Sequence, residues 1–323
     1  VTKRKDFEML LSGAIVDRLL GSQKPKADRG SSRLLVLHKD TGDVEHAMFA
    51  DIGKYISGDL WVNESALDRC RMSANRKNRR DWIIFAKKIG DRRWRVCQED
   101  GEPDFKTGET FDLADGTVCY VMGTTGYWAE VSVDRTPEWA IWGTVPLLSG
   151  VERPTDETDV SAYEAPWARI HGSKTLATAG VHFTNDTLKG FTLKPICLHI
   201  VYNSLSVIRE EEVDEHDLPA EEYSINTPPP EGMRVTAVGT TVARALETWA
   251  ATGSKSGWTN LFIKPPYEFK AVESLVTNFH MPGDSLFVMC ACLAGLDNLL
   301  VAYGEAVKED YDFGFFGDSM LIL

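Results

Sequence analysis

The familiar signatures of metal and nucleotide chemistry are missing from this chain. It contains no Cys-x-x-Cys pair, no cysteine with a histidine at ligand spacing and no His-Glu-x-x-His run, so structural zinc, dithiol redox and zincin chemistry have no sequence support. The Gly-x-x-x-x-Gly-Lys-Ser/Thr loop, the Gly-x-Gly-x-x-Gly turn and the Gly-x-Ser-x-Gly elbow are absent too, which removes P-loop, dinucleotide and hydrolase readings. The six cysteines are scattered and read as reduced, mostly buried thiols with no metal. The longest apolar run, residues 286–296, is too short to cross a bilayer and reads as a buried helix. Residues 1–6 lead into an amphipathic segment without an apolar signal core, so the expected location is the cytoplasm, away from membranes. No internal repeat or low-complexity tract occurs.

What is present suits an enzyme of ordinary globular composition. A length of 323 residues predicts two domains, and 43% hydrophobic with 26% charged residues argues against disorder. A net charge of −13 speaks against a nucleic-acid partner, but the charge is segregated. Residues 69–95 hold 11 basic side chains against two acids, a local +9 that leaves −22 elsewhere. Trp82, Phe85 and Trp94 interleave with those cations, which suits a nucleic-acid surface carried by Arg76, Lys77, Arg79, Arg80, Lys87 and Lys88. The same run also reads as a solvated charged face.

Along the chain, residues 33–38 and 44–49 alternate like strands around turn residues 39–43, which predicts a hairpin, followed by a short helix at 51–56 and a strand at 60–62. From 81 to about 141, short segments at 82–86, 93–97, 117–121 and 128–133 predict a small barrel or sandwich. Residues 146–166 read as a surface connection. Beyond it come predicted strands at 196–201, 235–238, 261–263, 274–277 and 319–323, with helices at 242–251, 285–293 and 298–308. The expected fold is therefore a mixed α/β domain, residues 1–68 with 152–323, interrupted by a small β-barrel domain at 69–151.

Three places carry candidate chemistry. Gly239-Thr240-Thr241 joins a predicted buried strand to a helix, where free N–H groups and the helix dipole suit a carboxylate or ribose. In the helix that follows, Arg244 and Glu247 are spaced to share a face and pair with each other. Thr178-Ala179-Gly180-Val181-His182-Phe183 is a small-residue loop delivering a histidine, with Thr184 placed to cap residues 185–189. His199 and His280 lie at strand ends, and in this topology the histidines are expected to converge with His182 on one sheet edge. Histidine exchanges protons near neutral pH, although a lone one is more often structural.

Read in order, several segments resemble the S-adenosylmethionine:tRNA ribosyltransferase-isomerase family of queuosine biosynthesis. They are Ser32-Arg33-Leu34-Leu35-Val36-Leu37 with Gly58-Asp59-Leu60, the 178–183 loop, Ala237-Val238-Gly239-Thr240-Thr241-Val242-Ala243-Arg244-Ala245-Leu246-Glu247, Thr277-Asn278-Phe279-His280-Met281-Pro282 and Phe316-Gly317-Asp318-Ser319-Met320. The resemblance implies S-adenosylmethionine as co-substrate, no metal, and transfer of its ribosyl part to the aminomethyl group of a 7-deazaguanine in tRNA. Rearrangement follows, and adenine and methionine leave. On this reading His182 and His280 are candidates for proton transfer. Thr178, Gly180, Phe183, Gly239, Thr240, Thr241, Arg244, Asn278 and Phe279 are candidates for holding S-adenosylmethionine, the two phenylalanines facing its sulfonium. A monomer is expected.

The chain also departs from the family pattern. It has Asn63-Glu64-Ser65-Ala66 where the family has Asn-Asp-Thr-Arg/Lys, His199-Ile200-Val201-Tyr202-Asn203-Ser204-Leu205 where the family has a glycine-containing loop, and His216-Asp217-Leu218-Pro219-Ala220-Glu221 where the family has His-Met-His-Ser-Glu. These changes motivate two alternatives: a paralogous enzyme using S-adenosylmethionine on a small-molecule amine, and a non-catalytic RNA-binding homologue.

Overall fold

Nine strands form one mixed sheet in the computed structural model, which describes residues 28–99, 104–146, 162, 164–175, 177–202, 208, 213–314 and 316–323. The strands are β1 (Arg33–Leu37), β2 (Val44–Met48), β3 (Gly58–Asn63), β12 (Phe191–His199), β13 (Glu221–Ile225), β14 (Val235–Val238), β15 (Ser256–Thr259), β16 (Val272–Asn278) and β17 (Ser319–Ile322). Their spatial order is β15-β13-β12-β3-β14-β16-β17-β1-β2. The centre, β12-β3-β14-β16, is parallel, as is the β17-β1 pair, and the remaining pairs are antiparallel.

Strands buried on both faces need apolar residues at successive positions, and β1 shows why. Leu35 and Leu37 enter a cluster with helices α2 (Thr240–Thr252), α3 (Ser285–Ala294) and α4 (Leu296–Lys308), while Leu34 and Val36 enter a second cluster on the opposite face with Phe49, Ile52 and Phe183. Helix α3 is apolar nearly all round because it is a core helix, and Asp284 caps it by accepting from Leu286 N at 2.9 Å and Phe287 N at 2.6 Å.

Between β4 (Ser65–Leu67) and β11 (Ile170–Ser173), which pair in parallel, the chain forms a closed six-strand barrel. Its strands are β5 (Arg71–Arg76), β6 (Arg79–Gly90), β7 (Arg93–Gln98), β8 (Thr110–Leu113), β9 (Val118–Thr125) and β10 (Trp128–Val133), in the order β10-β7-β6-β5-β8-β9. Alternation sends Cys119 and Val121 inward and Tyr120 and Met122 outward. Helix α1 (Trp139–Trp142) follows β10. The fold is thus mixed α/β with a small barrel, as the sequence implied.

Several elements differ from expectation. Residues 261–263 form no strand, and the sheet edge is β15 instead. Strand β12 starts at Phe191, through Pro195, because residues 191–195 pair only with β3 and the β13 ladder begins at Ile196, so the missing proline N–H interrupts no second ladder. The short helix predicted at 51–56 is a 3-10 helix at Phe49–Lys54. Residues 1–6 and most of the connection 146–166 lie outside the described residues.

Candidate active site at the sheet edge

The parallel strands β3, β14, β12 and β16 end together, and β1 and β17 begin there, which gathers Ser32, Asn63, His199, Gly239, Asn278 and Ser319 along one edge. In open α/β sheets this edge is where ligands bind. Gly239 has φ +95°, a conformation that favours glycine, and it precedes α2 without a side-chain cap. The first N–H groups of α2 therefore lack intrahelical acceptors and face the edge. Asn63 Nδ2 lies 3.5 Å from Thr241 Oγ1 and donates to Leu198 O at 3.0 Å.

The 3-10 turn Thr178–Gly180 packs against this strand-to-helix turn: a Cβ on Gly239 would stand 3.5 Å from Ala179 Cβ. Gly180 is required by a close approach, since its Cβ would fall 2.6 Å from Ala165 Cβ and 2.8 Å from Trp167 Cζ2. Trp167 Nε1 in turn donates to Asn63 O at 3.0 Å. The two motifs singled out in the sequence, 178–183 and 239–241, are therefore one packed unit.

His182 lies inside this unit, 4% exposed. Its Nδ1 is 2.9 Å from Ser32 Oγ and its Nε2 is 3.3 Å from Asn278 Oδ1, which in turn sits beside an Nδ2 that donates to Gly314 O at 3.2 Å. Asn278 Oδ1 can only accept, so the network assigns the proton to Nε2 and makes Ser32 the donor to Nδ1. His280 does not join it. Thr277 and Asn278 alternate along β16, so the ring that Thr277 Oγ1 meets at 2.8 Å lies on the opposite face, beside Tyr303. Burial lowers His280 to about 4, leaving it neutral at pH 7. The expected convergence of the histidines is thereby corrected. His199 ends β12 with its ring 3.6 Å from Cys197 Sγ, and a Cβ on Gly172 would collide with that ring.

Other expectations are corrected by packing. Phe183 is fully buried against Phe49 and Trp167, and Phe279 is enclosed by Tyr303, Tyr311 and Phe313; neither ring is exposed at the sheet edge. Arg244 does not pair with Glu247. It meets Glu221 of β13, and burial pulls its guanidinium down to about 10. Glu247 instead accepts from Tyr267 Oη and from the backbone N–H groups of Lys270, Ala271 and Val272, each at 2.9 Å. Thr178 and Thr240 remain at the edge, with Thr240 largely covered.

The basic stretch is also reshaped. Arg76 is an internal residue of the barrel, paired with Asp81, Asp104 and Glu109 at 3.1, 3.0 and 3.0 Å, so it cannot meet a phosphate. Lys77 and Arg79 are exposed but bridge to Asp104 and, for Arg79, Asp81. Arg80, Lys87 and Lys88 are exposed and form no ion pair among the described residues, and neither does Arg92. Sequence reasoning missed Glu64, a 3% exposed carboxylate that accepts from Arg169 Nε at 2.6 Å, and the Ser65–Ser173 hydroxyl pair at 2.8 Å. A run of polar residues directly after an apolar strand was the available signal. Among the described residues no three His, Cys, Asp or Glu side chains gather as a metal site, and burial pushes the Cys70 thiol up to about 12.

The chain is similar to known proteins over nearly its whole length. A family model described as "Queuosine biosynthesis protein" matches residues 16–322. The S-adenosylmethionine:tRNA ribosyltransferase-isomerase of Thermoanaerobacter sp. (strain X514) is 32% identical over 99% of this chain and 100% of its own length. The protein of the same name from Moorella thermoacetica is 36% identical over 94% and 96%. A crystal structure of S-adenosylmethionine tRNA ribosyltransferase from Thermotoga maritima is 29% identical, covers 93% of this chain and 95% of its own, and has a TM-score of 0.49.

Proposed function

The chain belongs to the S-adenosylmethionine:tRNA ribosyltransferase-isomerase family, and from that premise we propose that it transfers the ribosyl part of S-adenosylmethionine to the aminomethyl group of a 7-deazaguanine in tRNA. Rearrangement accompanies transfer, and adenine and methionine leave. The observation that carries this reading is the packed unit of the 178–183 and 239–241 motifs on the sheet edge, within a family match spanning residues 16–322. The sulfonium of S-adenosylmethionine acidifies the neighbouring C5′ protons and makes methionine a leaving group, so positioned proton acceptors and donors suffice at the reacting carbon.

In this reading the first N–H groups of α2, with Thr240 and Thr241, hold a carboxylate or ribose hydroxyls, where the helix dipole favours negative charge. The Ser32–His182–Asn278 chain is the proton-handling group: Asn278 fixes the imidazole tautomer, leaving Nδ1 as the acceptor, and Ser32 relays to it a proton taken from the substrate, its hydroxyl gaining one proton as it gives up another. His280, neutral and on the other face, holds the end of β16 in place through Thr277. Residues 1–68 with 152–323 serve as the catalytic body and 69–151 as the RNA-facing insert of a cytoplasmic monomer. Among the described residues no single helix is long and apolar enough to cross a membrane.

One observation favours a second reading. Acidic partners at Asp104, Glu109 and Glu130 neutralise much of the basic stretch, which suits a small-molecule amine acceptor better than a long RNA footprint. Adenine release from S-adenosylmethionine separates the two. Release that requires tRNA carrying aminomethyl-deazaguanine is the expected result; release with the free amine alone selects the second reading, and none in either case rejects both.

A further inference from the structure

Trp258 is the most exposed tryptophan among the described residues, at 56%, and it stands on β15, the outermost strand of the sheet. A large apolar ring in the open on a strand edge is a liability that folds ordinarily avoid. Its surroundings are cationic. Lys87 of β6 reaches across from the barrel and holds its Nζ 4.8 Å from the ring centroid, and the adjacent Lys88 is exposed as well. A cation against a π face is favourable. The contact therefore fixes the ring while leaving more than half of it in solvent.

Strand register ties this ring to the candidate active edge. Trp258 is paired with Glu222 of β13, and Glu222 is paired with His199, which ends β12 at that edge. Directly opposed residues of antiparallel strands share a face, so Trp258, Glu222 and His199 form one row. The alternating Leu198 and Tyr223 are buried with α2 on the other face. Gly172 of β11 abuts the His199 ring, and Lys87 meets Trp258, so the row is turned toward the barrel. Two strand spacings separate its ends, about 10 Å.

We propose that Trp258 is a stacking platform for an unpaired tRNA base that neighbours the reacting nucleotide, with Lys87 and Lys88 holding the phosphates beside it, a role that rests on the family reading above for the identity of the RNA. Every base offers a π face, and stacking on an aromatic side chain is the common way to grip an unpaired one. Glu222 orients the strand. Its exposed carboxylate repels phosphate, so the RNA backbone runs along the lysines while base edges lie over Glu222. There the carboxylate can accept from a base N–H or a ribose hydroxyl. The platform thus holds a neighbour of the acceptor base, about 10 Å along the row from the edge where the reaction is placed.

The test measures binding of the intact protein to the tRNA stem-loop that carries the modified base, with each unpaired nucleotide replaced in turn by an abasic one. One abasic position is expected to weaken binding to wild type by about 5- to 150-fold, the range for loss of one base stack. Trp258→Ala should show that loss with the intact loop and none further with the abasic one, and Trp258→Phe should restore most of the affinity. The salt slope should stay at its wild-type value in Trp258→Ala and fall by about 0.7–0.9 in Lys87→Ala, since only the lysine releases counterions. A ring that merely clasps barrel to sheet would lower Tm in Trp258→Ala with no abasic position singled out. That result overturns the platform, as does Trp258→Ala affinity within about twofold of wild type, the margin of ordinary additivity. A wild-type dimer that dissociates in Trp258→Ala with RNA affinity intact also overturns it, giving the ring to a second copy, and so does wild type that binds no stem-loop. Adenine release with modified tRNA judges the reaction separately: release by wild type without a Trp258 effect rejects only the platform, and a Trp258-dependent abasic position without release rejects only the reaction.

Discussion

At the scale of single residues, burial and partner geometry decide which titratable groups can act. His182 and His280 look alike in sequence, each beside a phenylalanine, yet only His182 sits in a chain of hydrogen bonds on the ligand-facing edge. His280 lies on the opposite face, where desolvation suppresses its charge. A ring held at about 4 when folded, against an ordinary 6.5, binds its proton more readily in the unfolded chain. Its contribution to stability is therefore complete above about pH 6.5 and is lost as pH falls toward 4, on the order of 2–3 kcal/mol across that window. Asp284 works in the opposite sense, since burial pushes it up to about 7, so its contribution declines as pH rises from 3.8 to 7. The two are separated by substitution: His280→Gln should flatten the fall in unfolding free energy between pH 6.5 and 4 relative to wild type, read from urea melts. An identical pH slope in the variant would mean that the ring is already protonated in the native state.

At the scale of elements, close approach makes the site. Gly180 lets Trp167 lie over the 178–180 turn and reach Asn63, so the turn, the β3 end and the α2 start are positioned together. Gly180→Ala places a methyl 2.6–2.8 Å from Ala165 and Trp167, and overpacking of this kind costs about 1–3 kcal/mol. We expect a lower Tm together with slower adenine release, whereas Gly53→Ala, with open space around its Cβ, should leave both nearly unchanged. Equal behaviour of the two variants would show that the turn adapts freely. The elements legible in sequence were those whose local chemistry is self-sufficient: the β1–β2 hairpin around its turn residues, the strand-Gly-helix unit at 239, and the apolar α3. Strands β5, β8 and β13 were not legible, because they are short and polar and their burial comes from distant partners. Arg76 of β5 is the clearest case, since it is inside only because Glu109, 33 residues later, meets it there.

At the scale of the whole molecule, charge determines how the protein can meet RNA. The sequence places +9 in residues 69–95 against −22 elsewhere, which reads as a strongly basic face. Folding changes that, because carboxylates from beyond the stretch return to it: Glu99 to Arg71, Asp104 and Glu109 to Arg76, and Glu130 to Arg93 and Arg95. Exposed cations of the stretch without an ion pair among the described residues are then Arg69, Arg80, Lys87, Lys88 and Arg92, with Lys87 4.8 Å from the Trp258 ring. Counterion release scales with the number of phosphates neutralised, so about five such cations predict a log–log salt slope of roughly −3.5 to −4.5 for tRNA binding, not the −8 to −10 that eleven would give. Lys87→Ala with Lys88→Ala should reduce the slope by about 1.4–1.8 while leaving S-adenosylmethionine binding intact. A slope steeper than about −6 would mean that the barrel's ion pairs open to RNA, and a flat slope with undiminished tRNA binding would move the RNA contact away from the barrel altogether.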